Sequence, residues 1–122
     1  TTASTGNATD FGNLSANRGA PSACSSSTRG VFMGGNDNTN IMEYVTIANV
    51  GNVTDFGDLT QQANDTSGAS SNKIRGVMAI GQGTNAIEFI TIATTGNAQD
   101  FGDRTVSGGF AGCHSNGNGG LS

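Results

Sequence analysis

Gly6-Asn7-Ala8-Thr9-Asp10-Phe11-Gly12 returns as Gly51-Asn52-Val53-Thr54-Asp55-Phe56-Gly57 and again as Gly96-Asn97-Ala98-Gln99-Asp100-Phe101-Gly102, 45 residues further on each time. Self-similarity at such a period marks stacked supersecondary units, none of which buries its apolar face alone. Working outward, Arg29-Gly30-Val31-Phe32-Met33-Gly34-Gly35 matches Arg75-Gly76-Val77-Met78-Ala79-Ile80-Gly81, here at an offset of 46. Asn40-Ile41-Met42-Glu43-Tyr44-Val45-Thr46-Ile47-Ala48 matches Asn85-Ala86-Ile87-Glu88-Phe89-Ile90-Thr91-Ile92-Ala93, back at 45. One residue is therefore gained before Arg75 and lost again before Thr84. The chain reads as a single repeat domain, 1–122, divided into repeats 1–45, 46–90 and a partial 91–122.

Within a repeat, the patterns are those of strands. Ile41 to Ile47 mixes alternation with β-branched and aromatic residues, as a half-buried strand does; Met42, Tyr44 and Ile47 share a face only if a bulge intervenes. Arg29 to Met33 is a second strand, stopped by Gly34-Gly35. Asn36-Asp37-Asn38-Thr39 supplies residues that tolerate the left-handed conformation and make a hairpin turn. Thr54 to Leu59, carrying Phe56, is a third strand. The weakest covers Ser22 to Ser25 and Ser67 to Ser70. Four short strands per repeat is the arithmetic of a β-propeller blade. No stretch has helical periodicity with caps.

Composition agrees. Twenty glycines with one proline fit short strands joined by tight turns. Apolar content of 34% is low, but disorder usually adds a high net charge, and here 11% of residues are charged with a net charge of −4. A thin, regularly repeated core is expected. Five Lys and Arg, scattered along an acidic chain, cannot track a phosphate backbone, so no nucleic-acid partner is expected. No apolar run reaches the ~20 residues of a membrane-spanning helix, and no membrane insertion is expected. The first residues align with Thr46 to Val50 and Thr91 to Thr95, in mid-repeat, which suggests a piece excised from something longer.

The double glycine closing an apolar strand, then a turn and an aromatic-bearing strand, resembles the kelch repeat. The Gly-Asn-Ala-Thr-Asp-Phe-Gly and Arg-Gly-Val-Phe modules of the first repeat more closely resemble tandem-repeat proteins of phage, cyanophage-like virion genes. That resemblance covers almost the whole chain. The second repeat departs from it at Met78-Ala79-Ile80, while the Ala111-Gly112-Cys113-His114-Ser115 tail is similar to the family's C-terminus. It implies a tail-fibre, appendage or other virion-surface role, in a virion or extracellular setting.

Candidate residues carry structural and functional readings side by side. Phe11, Phe56 and Phe101, with Val31 and Val77, are expected to form the core, one set per repeat. Asp10, Asp55 and Asp100 suit turn caps better than a cation site, since no oxygen ligands recur at calcium-loop spacing. Arg29 and Arg75, each beside a glycine, suit either hydrogen bonds to carbonyls between repeats or the grip of a sugar or carboxylate by the guanidinium fork. Glu43 with Tyr44 and Glu88 with Phe89 place an acid beside an aromatic, as in carbohydrate contacts, or simply populate a strand. Cys24 and Cys113 stand at nearly matching places, with Ala69 at the corresponding one between, and read as small buried thiols or an interchain staple. His114 is alone; no triad, metal site or cofactor is expected, and no enzyme. Asn7, Asn13, Asn52 and Asn64 begin Asn-x-Ser/Thr triplets, which matter only in a glycosylating pathway.

These readings converge on an all-β chain of kelch-like propeller blades completed by oligomerisation. Its expected role is a structural or adhesive one, on cell-surface glycan or other virion proteins; a lectin that closes its ring by self-association and a filament subunit are the alternatives. The contact expected to complete the assembly joins Thr1–Leu14 to the sheet containing Phe110–Leu121 of a neighbouring copy.

Overall fold

The computed structural model describes residues 3–63, 68–81, 83–109 and 112–115. It is all-β, with eight strands in two four-stranded antiparallel sheets. The first sheet runs in the order β1 (Ser22–Ser25), β2 (Arg29–Met33), β3 (Thr39–Thr46), β4 (Thr54–Ala63). The second follows with β5 (Gly68–Ser71), β6 (Arg75–Ala79), β7 (Ala86–Thr91), β8 (Gln99–Asp103). Each is a meander in which sequence neighbours pair, so every connection is a short hairpin.

The registers of the two sheets correspond. Ser22 opposite Met33 becomes Gly68 opposite Ala79, and Ile41 opposite Asp58 becomes Ala86 opposite Asp103. Cys24 opposite Val31 becomes Ser70 opposite Val77, so Ser70, not Ala69, is the counterpart of Cys24. The offset of 46 still governs this strand, and it shifts the match by one residue.

Met42 pairs with Gly57 but Glu43 pairs with Asp55, which leaves Phe56 as an extra residue in β4. Ile87 with Gly102 and Glu88 with Asp100 leave Phe101 extra in β8. The Asp-Phe-Gly motif is thus a β-bulge, with its glycine at φ +136° in β4 and +140° in β8. The recurrent aspartate accepts the N–H of that glycine at Asp10 and Asp100, at 3.2 Å in each case. Glycine is required here for its backbone. The bulge also sets how far the aromatic strand runs in phase, and Ile47 falls beyond β3, exposed. At the β2–β3 turn Asn38 takes φ +51°, and the Asn36 carboxamide accepts the Gly19 N–H at 3.1 Å.

The core lies between the sheets. Alternation puts Val31 and Met33 of β2 on a buried face, joined by Cys24, Met42, Phe56 and Leu59. In β6 the opposite phase is buried, Gly76 and Met78. Sheet one therefore presents the face carrying Val31, and sheet two presents the reverse of the face carrying Val77. The Cys24 thiol fits into the space left by Gly76: a Cβ there would lie 2.5 Å from its Sγ.

The expected aromatic core holds at one position of three. Phe56 is 2% exposed, but Phe11 is 39% and Phe101 53% exposed. Val31 is buried whereas Val77 is only half-buried. The physical reason is common to Phe101 and Val77: they sit on the face of the second sheet that no other described strand covers. Phe11 precedes the first sheet and lies in none of the described strands.

Candidate functional site

Alternation in β3 and β7 separates the acids from the aromatics that precede or follow them in sequence. Tyr44 and Phe89 point to the side of the arginines; Glu43 and Glu88 point to the other and are buried. The expected acid–aromatic pairing for a ligand is therefore not formed. Glu43 is met by Arg18, with Nη2 3.0 Å from Oε2 and both side chains almost wholly enclosed. No N–H is directed at that Oε2, so the contact is one of charge rather than an aligned hydrogen bond. Glu88 has no arginine opposite; its Oε2 accepts the Thr60 N–H at 3.0 Å and its Oε1 accepts the Thr60 hydroxyl. Glu43 ties the first sheet to the segment that precedes it, and Glu88 ties the second sheet to β4.

The arginines do meet the aromatics. The Arg29 guanidinium lies 4.2 Å from the centroid of Tyr44, and Arg75 lies 4.4 Å from that of Phe89. Each ring in turn meets the bulge phenylalanine edge-on, Tyr44 with Phe56 at 6.0 Å and Phe89 with Phe101 at 6.1 Å. These cross-strand ladders combine cation–π and aromatic contacts. Arg29 also donates from Nη1 to the Ile92 carbonyl of the second sheet at 2.8 Å. That is a carbonyl contact between repeats, the structural reading of this residue. Arg75 is exposed.

Beside each ladder runs an open cleft. One is lined by Tyr44, Thr46, Asn49, Gly51 and Asn52; the other by Phe89, Thr91, Thr94, Gly96, Asn97 and Gln99. The six named positions of the second cleft match Tyr44, Thr46, Asn49, Gly51, Asn52 and Thr54 of the first at the 45-residue offset, while Phe56 lines the second cleft alone. Each offers an aromatic ring, threonine hydroxyls and an asparagine amide, and neither holds an acid–base pair.

The recurring Gly-Asn dipeptide proves to be the link between repeats, a role its sequence context did not reveal. Gly51 N–H donates to Phe11 O at 2.8 Å and Val53 N–H to Asn13 O at 3.1 Å, while Asn13 N–H donates to Asn52 Oδ1 at 3.0 Å. The arrangement recurs: Gly96 N–H to Phe56 O at 2.7 Å, Ala98 N–H to Asp58 O at 2.8 Å, and Asp58 N–H to Asn97 Oδ1 at 3.0 Å. At Phe56 the acceptor is the extra residue of the bulge, while Phe11 makes the same bond from outside the described strands. The signal available in the sequence was the asparagine itself, which follows the glycine in all three copies.

Cys24 is buried and its thiol is pushed up to about 11 by burial; Cys113 is partly buried, and neither is in a disulfide. His114 and Ser115 lie near Arg75 and Phe101 in an open cleft. Among the described residues, no three His, Cys, Asp or Glu side chains gather as metal ligands, and no helix is long and apolar enough to cross a membrane. Leu14 is half-buried; Thr1, Phe110 and Leu121, of the expected terminal contact, lie outside the described residues. No family model, curated protein or solved structure matches the chain.

Proposed function

We propose that this chain is a non-enzymatic structural or adhesive module, a stack of kelch-like propeller blades that works as a homo-oligomer on a virion surface, tail fibre or other extracellular assembly. The observation that carries the reading is the hook between repeats, made twice with the same atoms. Among the polar groups set out by the repeat, Arg29, Glu88 and the Gly-Asn pairs tie a sheet to the strand or segment beside it, while Glu43 meets Arg18 of its own repeat. A chain that devotes its recurring chemistry to joining copies of one unit is suited to extension. The virion setting rests on the resemblance of the Asp-Phe-Gly and Arg-Gly-Val-Phe modules. Light scattering and negative-stain images of the native protein test it: rings or fibres of defined mass are expected, and a monomer at every concentration overturns the reading.

The paired clefts favour a second reading, a lectin. An aromatic platform with hydroxyl and amide groups beside it suits the apolar face and hydroxyls of a sugar, and two equivalent clefts give avidity. Sugar-specific binding on a glycan array, lost on Phe89→Ala, would establish it; an array without a sugar-specific signal would remove it.

A further inference from the structure

We infer that the bulge of β8 is a docking point for Gly6-Asn7-Ala8 of a second copy of this chain, an inference that deepens the assembly reading and rests on it. The chain contains three Asp-Phe-Gly motifs, and a Gly-Asn pair opens each of the three copies: Gly6-Asn7, Gly51-Asn52 and Gly96-Asn97. The motif at Phe11, which lies outside the strands, takes Gly51-Asn52, and the bulge at Phe56 takes Gly96-Asn97. Among the described residues one of each is left over: the bulge at Phe101 and the segment at Gly6.

The leftover partners are complementary in sequence as well as in kind. Asp100-Phe101-Gly102-Asp103 is identical to Asp55-Phe56-Gly57-Asp58, and Gly6-Asn7-Ala8 is identical to Gly96-Asn97-Ala98. Their union reproduces, group for group, a contact that the fold already makes. Gly6 N–H donates to Phe101 O, Ala8 N–H to Asp103 O, and Asp103 N–H to Asn7 Oδ1.

Both leftover surfaces are open. A Cβ on Gly12 would lie 2.1 Å from Gly51 O, and one on Gly57 would lie 2.5 Å from Gly96 O. Gly102 has the same backbone conformation, at φ +140°, yet among the described residues nothing comes within 4 Å of that position. Nothing comes within 4 Å of a Cβ on Gly6 either, and residues 6–8 are exposed. The β8 bulge is thus shaped for a backbone that does not arrive from its own chain's described residues. Phe101 and Arg75 flank it, both exposed, where Phe56 is buried and Arg29 reaches the following repeat.

A second copy is the occupant because the docking segment needs the repeat's Gly-Asn-Ala, and among the described residues Gly6-Asn7-Ala8 is the copy of that segment that meets no Asp-Phe-Gly motif. The contact is heterologous, one end of a copy against the other end of the next. Repeated, it builds an open chain or a ring rather than a two-fold dimer.

Gly6→Pro removes the donor N–H at an exposed position where an added Cβ meets none of the described residues. Sedimentation velocity across a micromolar-to-millimolar series is run on the full 122-residue chain and on this variant. The parent is expected to associate, and Gly6→Pro to weaken association roughly tenfold, since a desolvated carbonyl is left without its donor. The melting temperature should be unchanged. Asn7→Ala is the second variant and should weaken association in the same direction. If the parent associates and both variants associate equally well, the hook is wrong and the assembly reading survives. A parent that remains monomeric throughout overturns both.

Discussion

Cys24 shows how one small side chain registers two sheets. Its Sγ occupies the space above the Gly76 Cα, and Ser25 on the same strand exchanges hydrogen bonds with Ser71, accepting at its carbonyl and donating from its N–H. Burial pushes the thiol up to about 11 from an ordinary value of 9.0, because the thiolate would lose its hydration there. The folded state therefore holds the proton more tightly than the unfolded one. The resulting stability is fully present below the unfolded value and is lost as pH rises through the interval from 9.0 to about 11. Native protein at pH 8 should accordingly show slow alkylation of Cys24 and faster alkylation of Cys113. Peptide mapping after timed iodoacetamide treatment checks this, and equal rates would place Cys24 outside the interface.

At the scale of the element, the bulge does two jobs that separate under mutation. Its glycine takes a conformation that costs an L-residue roughly 1–3 kcal/mol wherever it occurs. At Gly57 a side chain also strikes the Gly96 backbone, its Cβ lying 2.5 Å from both the C and the O, while at Gly102 it meets none of the described residues. Gly57→Ala should then destabilise the chain by the strain plus a packing cost of roughly 1–3 kcal/mol. Gly102→Ala should cost the strain alone. Urea denaturation of the two variants under dilute conditions measures the difference. Equal losses would mean that the Phe56–Gly96 hook contributes little.

Across the whole molecule, two sheets share one interface and leave two outer faces. Phe56 lies at the shared interface, whereas Phe101, in the same motif, lies on an outer face at 53% exposure. Phe56→Ala should cost on the order of 3–5 kcal/mol, transfer and cavity together, a large part of the stability of a thin-cored protein. Phe101→Ala should change the monomer by about 1 kcal/mol or less, as an exposed substitution does. Thermal unfolding distinguishes them. A similar drop in melting temperature for both would show that the outer face is covered. The exposed Ile41 at 37%, on the opposite outer face, belongs to the same geometry: each outer face carries an apolar side chain that the other sheet does not cover.

The local pattern alone determined the β class, the repeat, and most strand positions, because alternation, β-branching and glycine-bounded turns act over a few residues. Arg29–Met33 and Ser22–Ser25 coincide with β2 and β1, and the turn at Asn36 to Asn38 is where its asparagines require it. Periodicity also placed the aromatics, but it treats equivalent positions as equal. Only the tertiary structure decided that Phe56 is buried while Phe11 and Phe101 are not, since burial depends on whether a neighbouring unit is present, and that is a property of the stack. The same holds for the acids: Glu43 and Tyr44 are adjacent in sequence, and the pleat sends them to opposite faces, toward Arg18 and Arg29. Partners such as Arg18, Thr60 and Asn97 were illegible because each acts on a residue far away along the chain. Their hydrogen bonds and charge contacts follow from how distant segments dock on one another, which no local pattern encodes.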